Sequence, residues 1–238
     1  MKVLQSNAQV LEARGTLERR NASCLGIELP GRAPLWRRLL GRPTLIPFGD
    51  PLKSWDILQT VEFIERHHPR TARVLDVGAY NSEILPSLHR LGFGSLTGID
   101  LNPDVRKMPF QDRIRYEIGD LLHSPFPSCS FDVITAISVI EHGFDPPALL
   151  SELSRLLAPG GSFLASFDYW PEKIDTTGQL FFGLDWRIFS KEEIQAFVAQ
   201  AEAYGFACDE PLSFEASERP VHCADRDYTF GWMALTKH

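Results

Sequence analysis

An α/β fold with a mostly parallel sheet is predicted by three features of this 238-residue chain. The first is Val74-Leu75-Asp76-Val77-Gly78-Ala79-Tyr80-Asn81-Ser82. It reads as a strand buried on both faces, running into a tight turn at the carboxyl rim of the sheet, where ligands of such folds bind. The second is helical spacing at Ile84, Leu85, Leu88 and Leu91, ended by Gly92 and Gly94 and followed by a short strand, Ser95-Leu96-Thr97-Gly98-Ile99-Asp100. The third is the end of the chain, where apolar stretches near 206–214 and 228–236 pair as an antiparallel hairpin.

The elements follow in order. Residues 1–52, broken by Gly31, Pro34, Gly41, Pro43 and Pro47, read as an irregular extension rather than a second folded domain. Ser54 is a candidate N-cap for a helix with Ile57, Leu58, Val61 and Ile64 inward, ending near His67-His68-Pro69. The two histidines read as a helix end, because neighbours in sequence point in different directions on a helix. After a fourth strand at Phe131-Asp132-Val133-Ile134, Asp145-Pro146-Pro147 starts a helix with Leu149, Leu150, Leu153, Leu156 and Leu157 as its core stripe. Pro159-Gly160-Gly161 stops it, and Ser162 to Phe167 form a fifth strand. Ser190 and Glu193 form a capping box for a helix with Ile194, Phe197, Val198 and Ala201 inward, ended by Gly205.

Two aspartates suggest a ligand. Asp76 closes a strand as a polar group at the rim, beside Gly78, which removes a side chain where the backbone turns or a ligand approaches. Asp100 lies 24 residues further on, an offset that suits recognition of a ribose, since one carboxylate accepts hydrogen bonds from both hydroxyls of the diol. The competing reading is a surface aspartate capping the Asn102-Pro103 turn.

Together, Val74 to Ser82, Gly98-Ile99-Asp100, Ile118-Gly119-Asp120-Leu121, Phe131-Asp132-Val133-Ile134, Val139-Ile140-Glu141-His142 and Leu157-Ala158-Pro159-Gly160-Gly161 resemble the ordered motifs of class I S-adenosylmethionine-dependent methyltransferases. The resemblance covers residues 53–238. It implies a Rossmann-like three-layer sandwich with a seven-stranded, mostly parallel sheet and an antiparallel C-terminal hairpin, and S-adenosyl-L-methionine as cofactor. It also implies that Asp76 and Gly78, with Ala79, Tyr80 and Asn81 of the same turn, approach the methionine part. Asp100, followed by Leu101, would take the ribose; Asp120 would contact the adenine and Leu121 flank it; Ser138 to His142 would lie near the reacting methyl. The chain departs from the family at Tyr80 and Ser82, where glycines are usual, so these side chains either point away from the cofactor or touch it.

Composition fits a soluble enzyme domain with a sizeable core, 44% of the residues being hydrophobic. No apolar run approaches the ~18 residues that span a bilayer, and the start turns polar too soon for a signal peptide. Cys24, Cys129, Cys208 and Cys223 are widely spaced, without a Cys-x-x-Cys pair, which points to reduced thiols and a cytoplasmic location. Residues 1–50 hold eight basic and four acidic side chains, which leaves −11 for the rest of a chain whose total is −7. The body is therefore a poor nucleic-acid surface, and Arg32, Arg37, Arg38 and Arg42 read as a solvated basic face before an anion site. Neither a metal site nor nucleic-acid binding is expected, and oligomeric state is not legible.

The expected chemistry demands little of the protein. A sulfonium already makes its methyl group electrophilic, so an enzyme must align a nucleophile and, where necessary, remove its proton. His142 is the first candidate base, because imidazole titrates near neutral pH; the competing reading is that Glu141-His142 shapes the pocket. His222 is a second candidate, against an exposed loop position. Asp168, Tyr169 and Trp170 follow the fifth strand, and Trp186-Arg187 precede Ser190, each with core packing or a surface salt bridge as the bland alternative. The function expected is methyl transfer to an oxygen or nitrogen of a small molecule. The alternatives are a catalytically silent methyltransferase-like scaffold, motivated by Tyr80 and Ser82, and, less favoured, a nicotinamide oxidoreductase.

Overall fold

The computed structural model describes residues 1–30, 45–208 and 210–238. The strands are β1 (Lys2–Val3), β2 (Glu28–Pro30), β3 (Leu45–Pro47), β4 (Arg73–Val77), β5 (Ser95–Asp100), β6 (Arg115–Ile118), β7 (Phe131–Ile137), β8 (Leu157–Tyr169), β9 (Leu180–Phe181), β10 (Leu184–Asp185), β11 (Phe206–Cys208), β12 (Val221–Cys223) and β13 (Arg226–Lys237). The described helices are α1 (Asn7–Arg19), α2 (Ser54–His67), α3 (Ile84–Arg90), α4 (Pro146–Leu156) and α5 (Lys191–Ala203).

The main sheet runs β1-β13-β8-β7-β4-β5-β6. Strands β5, β4, β7 and β8 pair in parallel, as do β5 and β6, whereas β13 is antiparallel to β8 from Thr229↔Tyr169 to Thr236↔Ser162. The seven strands expected are present, and the described sheet has nine because β1 and β12 join it. The outer edge of β13 is covered in succession by β12, β1 and β11, so no long unpaired ladder is left there to recruit another chain.

Side chains alternate between two cores. On β8, Phe163, Ala165 and Phe167 face the core under α4 and α5, while Leu164 faces the one under α1, α2 and α3. On β7, Ile134 and Val133 divide in the same way. This period of two with both faces covered is what makes the strands read as continuous apolar runs.

Several expectations change in detail. Residues 1–52 were expected to be irregular, yet the described part holds β1, α1 and the antiparallel pair of β2 and β3. Helix α1 lacks a clean amphipathic pattern and is held by three buried residues, Val10, Ala13 and Leu17, packed into the α2 core. Its Arg14 forms a near-buried ion pair with Glu83 at 2.8 Å, and the same carboxylate accepts from Cys24 N at 2.9 Å. Arg32, Arg37, Arg38 and Arg42 lie outside the described residues. Ser54 is the first residue of α2 rather than its cap: a short turn capped by Asp50 leads directly into the helix, and Ser54 Oγ instead receives Arg14 Nε at 2.9 Å. Pro159-Gly160-Gly161 belongs to β8, as the out-of-register segment between the pairs Phe131↔Leu157 and Val133↔Ser162. The capping box at Ser190 and Glu193 is present as expected. No described helix is long and apolar enough to cross a membrane.

Candidate active site

A cavity of about 630 Å³ opens at the carboxyl ends of β4, β5, β6 and β7, within the ~300–1,000 Å³ usual for ligand sites. Of the residues expected to bind cofactor or catalyse, Gly78, Tyr80, Asp100, Leu101, Asp120, Leu121, Ser138 and His142 line it. Asp76, Ala79 and Asn81 do not.

The turn after β4 is fixed by backbone geometry. Gly78 has φ +75°, and its N–H, like that of Ala79, donates to Ile99 O. A Cβ on Gly78 would meet Val139 Cγ2 at 2.5 Å, so the glycine is required both by its left-handed conformation and by the segment after β7. Ala79 is buried beneath the turn, where a Cβ on Gly98 would approach it to 2.7 Å. Asn81 is also left-handed, at φ +63°, a conformation asparagine tolerates. Its Oδ1 accepts Gly49 N at 2.9 Å, which ties the turn to the N-terminal segment.

The family departures thus have structural roles. Tyr80 N–H donates to Asp100 Oδ2 at 2.9 Å, and its side chain packs against the small core of Cys24, Phe48, Val105 and Met108 while lining the cavity. Ser82 Oγ accepts Ile84 N at the start of α3.

The carboxylates differ in what they can offer. Asp100 accepts Tyr80 N on one oxygen and Asn102 N, at 2.7 Å, on the other; a carboxylate oxygen has two lone pairs, so each retains one for a diol. Asp120 accepts Leu122 N at 2.9 Å and meets His123 Nδ1 at 3.1 Å. Asp76 is buried, receives Thr135 Oγ1 at 2.6 Å on Oδ1 and has no partner on Oδ2. Burial raises its pKa to about 7, against the hydrogen bond from Thr135. The free lone pairs of Asp100, the turn at Gly78 and the cavity's volume suit a nucleoside carrying a polar arm.

At the other end of the cavity, Ser138 holds φ +53° and its Oγ accepts from Lys53 Nζ. His142 is half-buried with Nδ1 unpartnered; burial, and then the nearby Lys53 ammonium, pull its pKa down to about 4. It is neutral at neutral pH and a weak base, which favours its pocket-shaping role. The rings of Phe181 and Phe182 meet it edge-on at 6.0 and 5.5 Å. Both belong to the β9–β10 hairpin, whose turn residues Phe182 and Gly183 have positive φ, the conformation of a tight two-residue hairpin.

The remaining candidates fall outside the cavity. His222 is exposed and bonded to Asp227 at 2.7 Å. Tyr169 is buried, with its hydroxyl donating to Phe214 O at 2.8 Å; Arg219 lies over Trp170; and Arg187 pairs with Glu193 at 3.0 Å. Asp168 is buried and accepts Trp186 Nε1 at 2.8 Å. Residue-by-residue reading missed Lys53 and Phe182. Lys53 lies in no motif, although the aromatic pair before Gly183 was a visible signal for an exposed hairpin.

The comparisons agree with this geometry. The family described as "Methyltransferase domain" matches residues 75–165, from β4 through most of β8. Over that segment the chain is similar to class I S-adenosylmethionine-dependent methyltransferases. A curated relative of the methyltransferase domain, ubiquinone biosynthesis O-methyltransferase of Xanthomonas oryzae pv. oryzae, is 33% identical over 108 residues, covering 42% of this chain and 45% of the relative. Another, 27-O-demethylrifamycin SV methyltransferase of Amycolatopsis mediterranei, is 30% identical over 97 residues, covering 37% and 36%. The chain thus spans about half or less of the length of these relatives. Among solved structures, geranyl diphosphate C-methyltransferase from Streptomyces coelicolor, in complex with Mg2+, geranyl diphosphate and S-adenosyl-L-homocysteine, aligns with a TM-score of 0.58 at 15% identity, covering 95% of this chain and 98% of that one. At that identity the likeness speaks for the methyltransferase fold alone.

Proposed function

We propose that the chain is an enzyme that transfers the methyl group of S-adenosyl-L-methionine to an oxygen or nitrogen of a small, largely apolar acceptor. The observation that carries this is the single cavity bounded by Gly78, Asp100 and Asp120 at one end and by Ser138 and His142 at the other. When bound, the cofactor supplies an electrophilic methyl group. Asp100 would hold the ribose diol through its free lone pairs; Leu101 and Leu121 would flank the purine; Gly78 and Tyr80 would border the amino-acid arm. Asp76, Ala79 and Asn81 would act from behind, by shaping the turn. Oxygen is supported as acceptor atom by the two curated relatives, both named for O-methylation.

An apolar acceptor is supported by where exposed hydrophobic side chains collect. Of the six large ones exposed among the described residues, Leu101, Phe182 and Leu184 line the cavity, and Ile118 and Leu180 adjoin lining segments. Phe182 is 90% exposed, and scattered single hydrophobes need no explanation whereas a rim around a cavity does. His142 would orient the acceptor, with its neutral imidazole able to receive a proton.

Isothermal titration with S-adenosylmethionine and S-adenosylhomocysteine tests the cofactor. Binding of neither would end the proposal. A methyl-transfer screen of phenols, catechols and amines, with and without apolar substituents, tests the acceptor. Phe182→Ala should leave cofactor affinity unchanged and raise KM about tenfold or more for apolar acceptors; an unchanged KM would remove the hairpin from acceptor recognition.

A further inference from the structure

Next to Ser138, four ionisable groups from three parts of the chain meet in the interior. Lys53 precedes α2, Asp56 lies in its first turn, Glu141 follows β7, and Asp168 ends β8. The three carboxyl groups are 0%, 1% and 5% exposed. Asp56 Oδ2 accepts Ser166 Oγ at 3.1 Å and lies 3.9 Å from Lys53 Nζ; Asp168 accepts Trp186 Nε1. Asp56 Oδ1 and Glu141 Oε2 have no partner. The Lys53 ammonium sits 3.4 Å from the centroid of the Phe230 ring and donates to Ser138 Oγ.

Packing alone does not call for this arrangement, because buried carboxyl oxygens without donors cost stability. The cluster also reaches the cavity. Ser138, Ile140 and His142 line it, Glu141 lies between the last two in sequence, and the Lys53 charge helps keep His142 from protonating. The other groups facing the cluster are Asp50 beside Asp56, and Tyr228 and Cys223 beside Asp168. Three carboxyl groups against one lysine leave an excess of negative charge as they ionise.

We propose that the cluster of Lys53, Asp56, Glu141 and Asp168 is the counter-charge of the methyltransferase cavity, favouring a cationic sulfonium over its neutral thioether product, with Lys53 setting the strength of that preference. The proposal rests on the cofactor reading above. S-adenosylmethionine and S-adenosylhomocysteine differ in the methyl group and its positive charge, so the ratio of their affinities reads the local potential. Lys53 is a positioning residue here: it opposes the sulfonium electrostatically while holding Ser138 on the cavity wall. Burial raises the pKa of Asp56 to about 7 and those of Glu141 and Asp168 above the ordinary carboxylate range, so the preference grows as the pH rises.

The test is titration calorimetry of the intact chain with both nucleosides at pH 6 and pH 8.5. The parent should prefer the sulfonium more strongly at the higher pH. At pH 8.5, Lys53→Met should raise the affinity ratio about fivefold, Lys53→Arg should restore it, and Glu141→Gln and Asp168→Asn should each lower it by a similar factor. Titration in buffers of different ionisation enthalpy should show proton release on binding S-adenosylmethionine and less on binding S-adenosylhomocysteine. A ratio unchanged within twofold in the folded variants, with both nucleosides bound, would overturn the proposal and leave the cofactor reading intact. If the parent bound neither nucleoside, both would fall.

Discussion

Two regions around the cavity use the same residue type in opposite ways. At the β5–β6 end, Asp100 and Asp120 stand partly in solvent and each accepts a backbone N–H of its own turn, Asp100 taking a second from Tyr80 in the turn after β4. Beyond the cavity wall at Ser138, Asp56, Glu141 and Asp168 are withdrawn from water, and two of their oxygens have no donor. A solvated carboxylate recognises through lone pairs at little cost, whereas a buried one acts through charge and protonation state, because desolvation penalises its ionised form. The first kind announces itself in local sequence; the second exists only once distant segments have packed.

The comparison can be strained most severely where the segment after β4 meets the N-terminal segment. Glu83→Gln leaves Arg14 buried without its counter-ion, and loss of one partner of such a pair costs about 3–5 kcal/mol. The expected outcome is a denaturation midpoint lowered accordingly in urea titration. Stability within ~0.5 kcal/mol of the parent would show that the N-terminal segment does not support the turn.

Next in size is the pH dependence of the buried acids. Asp56 has an ordinary pKa of 3.8 and is raised by burial to about 7, so it holds its proton more tightly when folded. Its contribution is fully present below pH 3.8 and is lost as pH rises through about 7. The parent should therefore lose stability relative to Asp56→Asn as pH climbs between these values, by at most about 4 kcal/mol, with no further divergence above. Melting temperatures of both proteins from pH 4 to 9 check this; a difference independent of pH would mean that Asp56 is ionised throughout. Asp76, raised to about 7 by the same cause, should behave alike in Asp76→Asn.

The smallest effect sharpens the solvated end. Asp100→Ala should weaken nucleoside binding by about 1.5–3 kcal/mol, or roughly 10- to 150-fold, the range for hydrogen bonds to a charged group. Part of any loss of fold stability would come from Tyr80 and Asn102, whose N–H groups lose their acceptor. Titration calorimetry separates the two effects, and unchanged affinity would remove Asp100 from ribose recognition.

Much of this was legible along the chain. The apolar runs of β4, β5, β7 and β8, the leucine stripe of α4 and the capping box of α5 each depend on neighbours within a few residues, and all lie where spacing predicts them. The antiparallel pairing of the last two strands was readable as well, although β11 pairs with β13 only from Phe206 to Cys208. Helix α1 was not, since its three buried side chains form a weak pattern among breakers. Tyr80 and Ser82 looked like defects of a glycine motif because the partner of Tyr80, Asp100, is supplied by another strand and Ser82 serves the start of α3.

The sequence by itself determined the order of α2, β4, α3, β5, β7, α4, β8 and α5, the glycine turn and the carboxylate at the tip of β5, because backbone propensity and periodic burial are local properties. Only the tertiary structure decided that Lys53 reaches Ser138, that Glu83 binds Arg14, and that Asp56, Glu141 and Asp168 share one interior. The reason is physical: the charge state and solvation of a side chain depend on everything packed around it, and residues as far apart as Lys53 and Ser138 become neighbours only when the sheet closes between its two layers of helices.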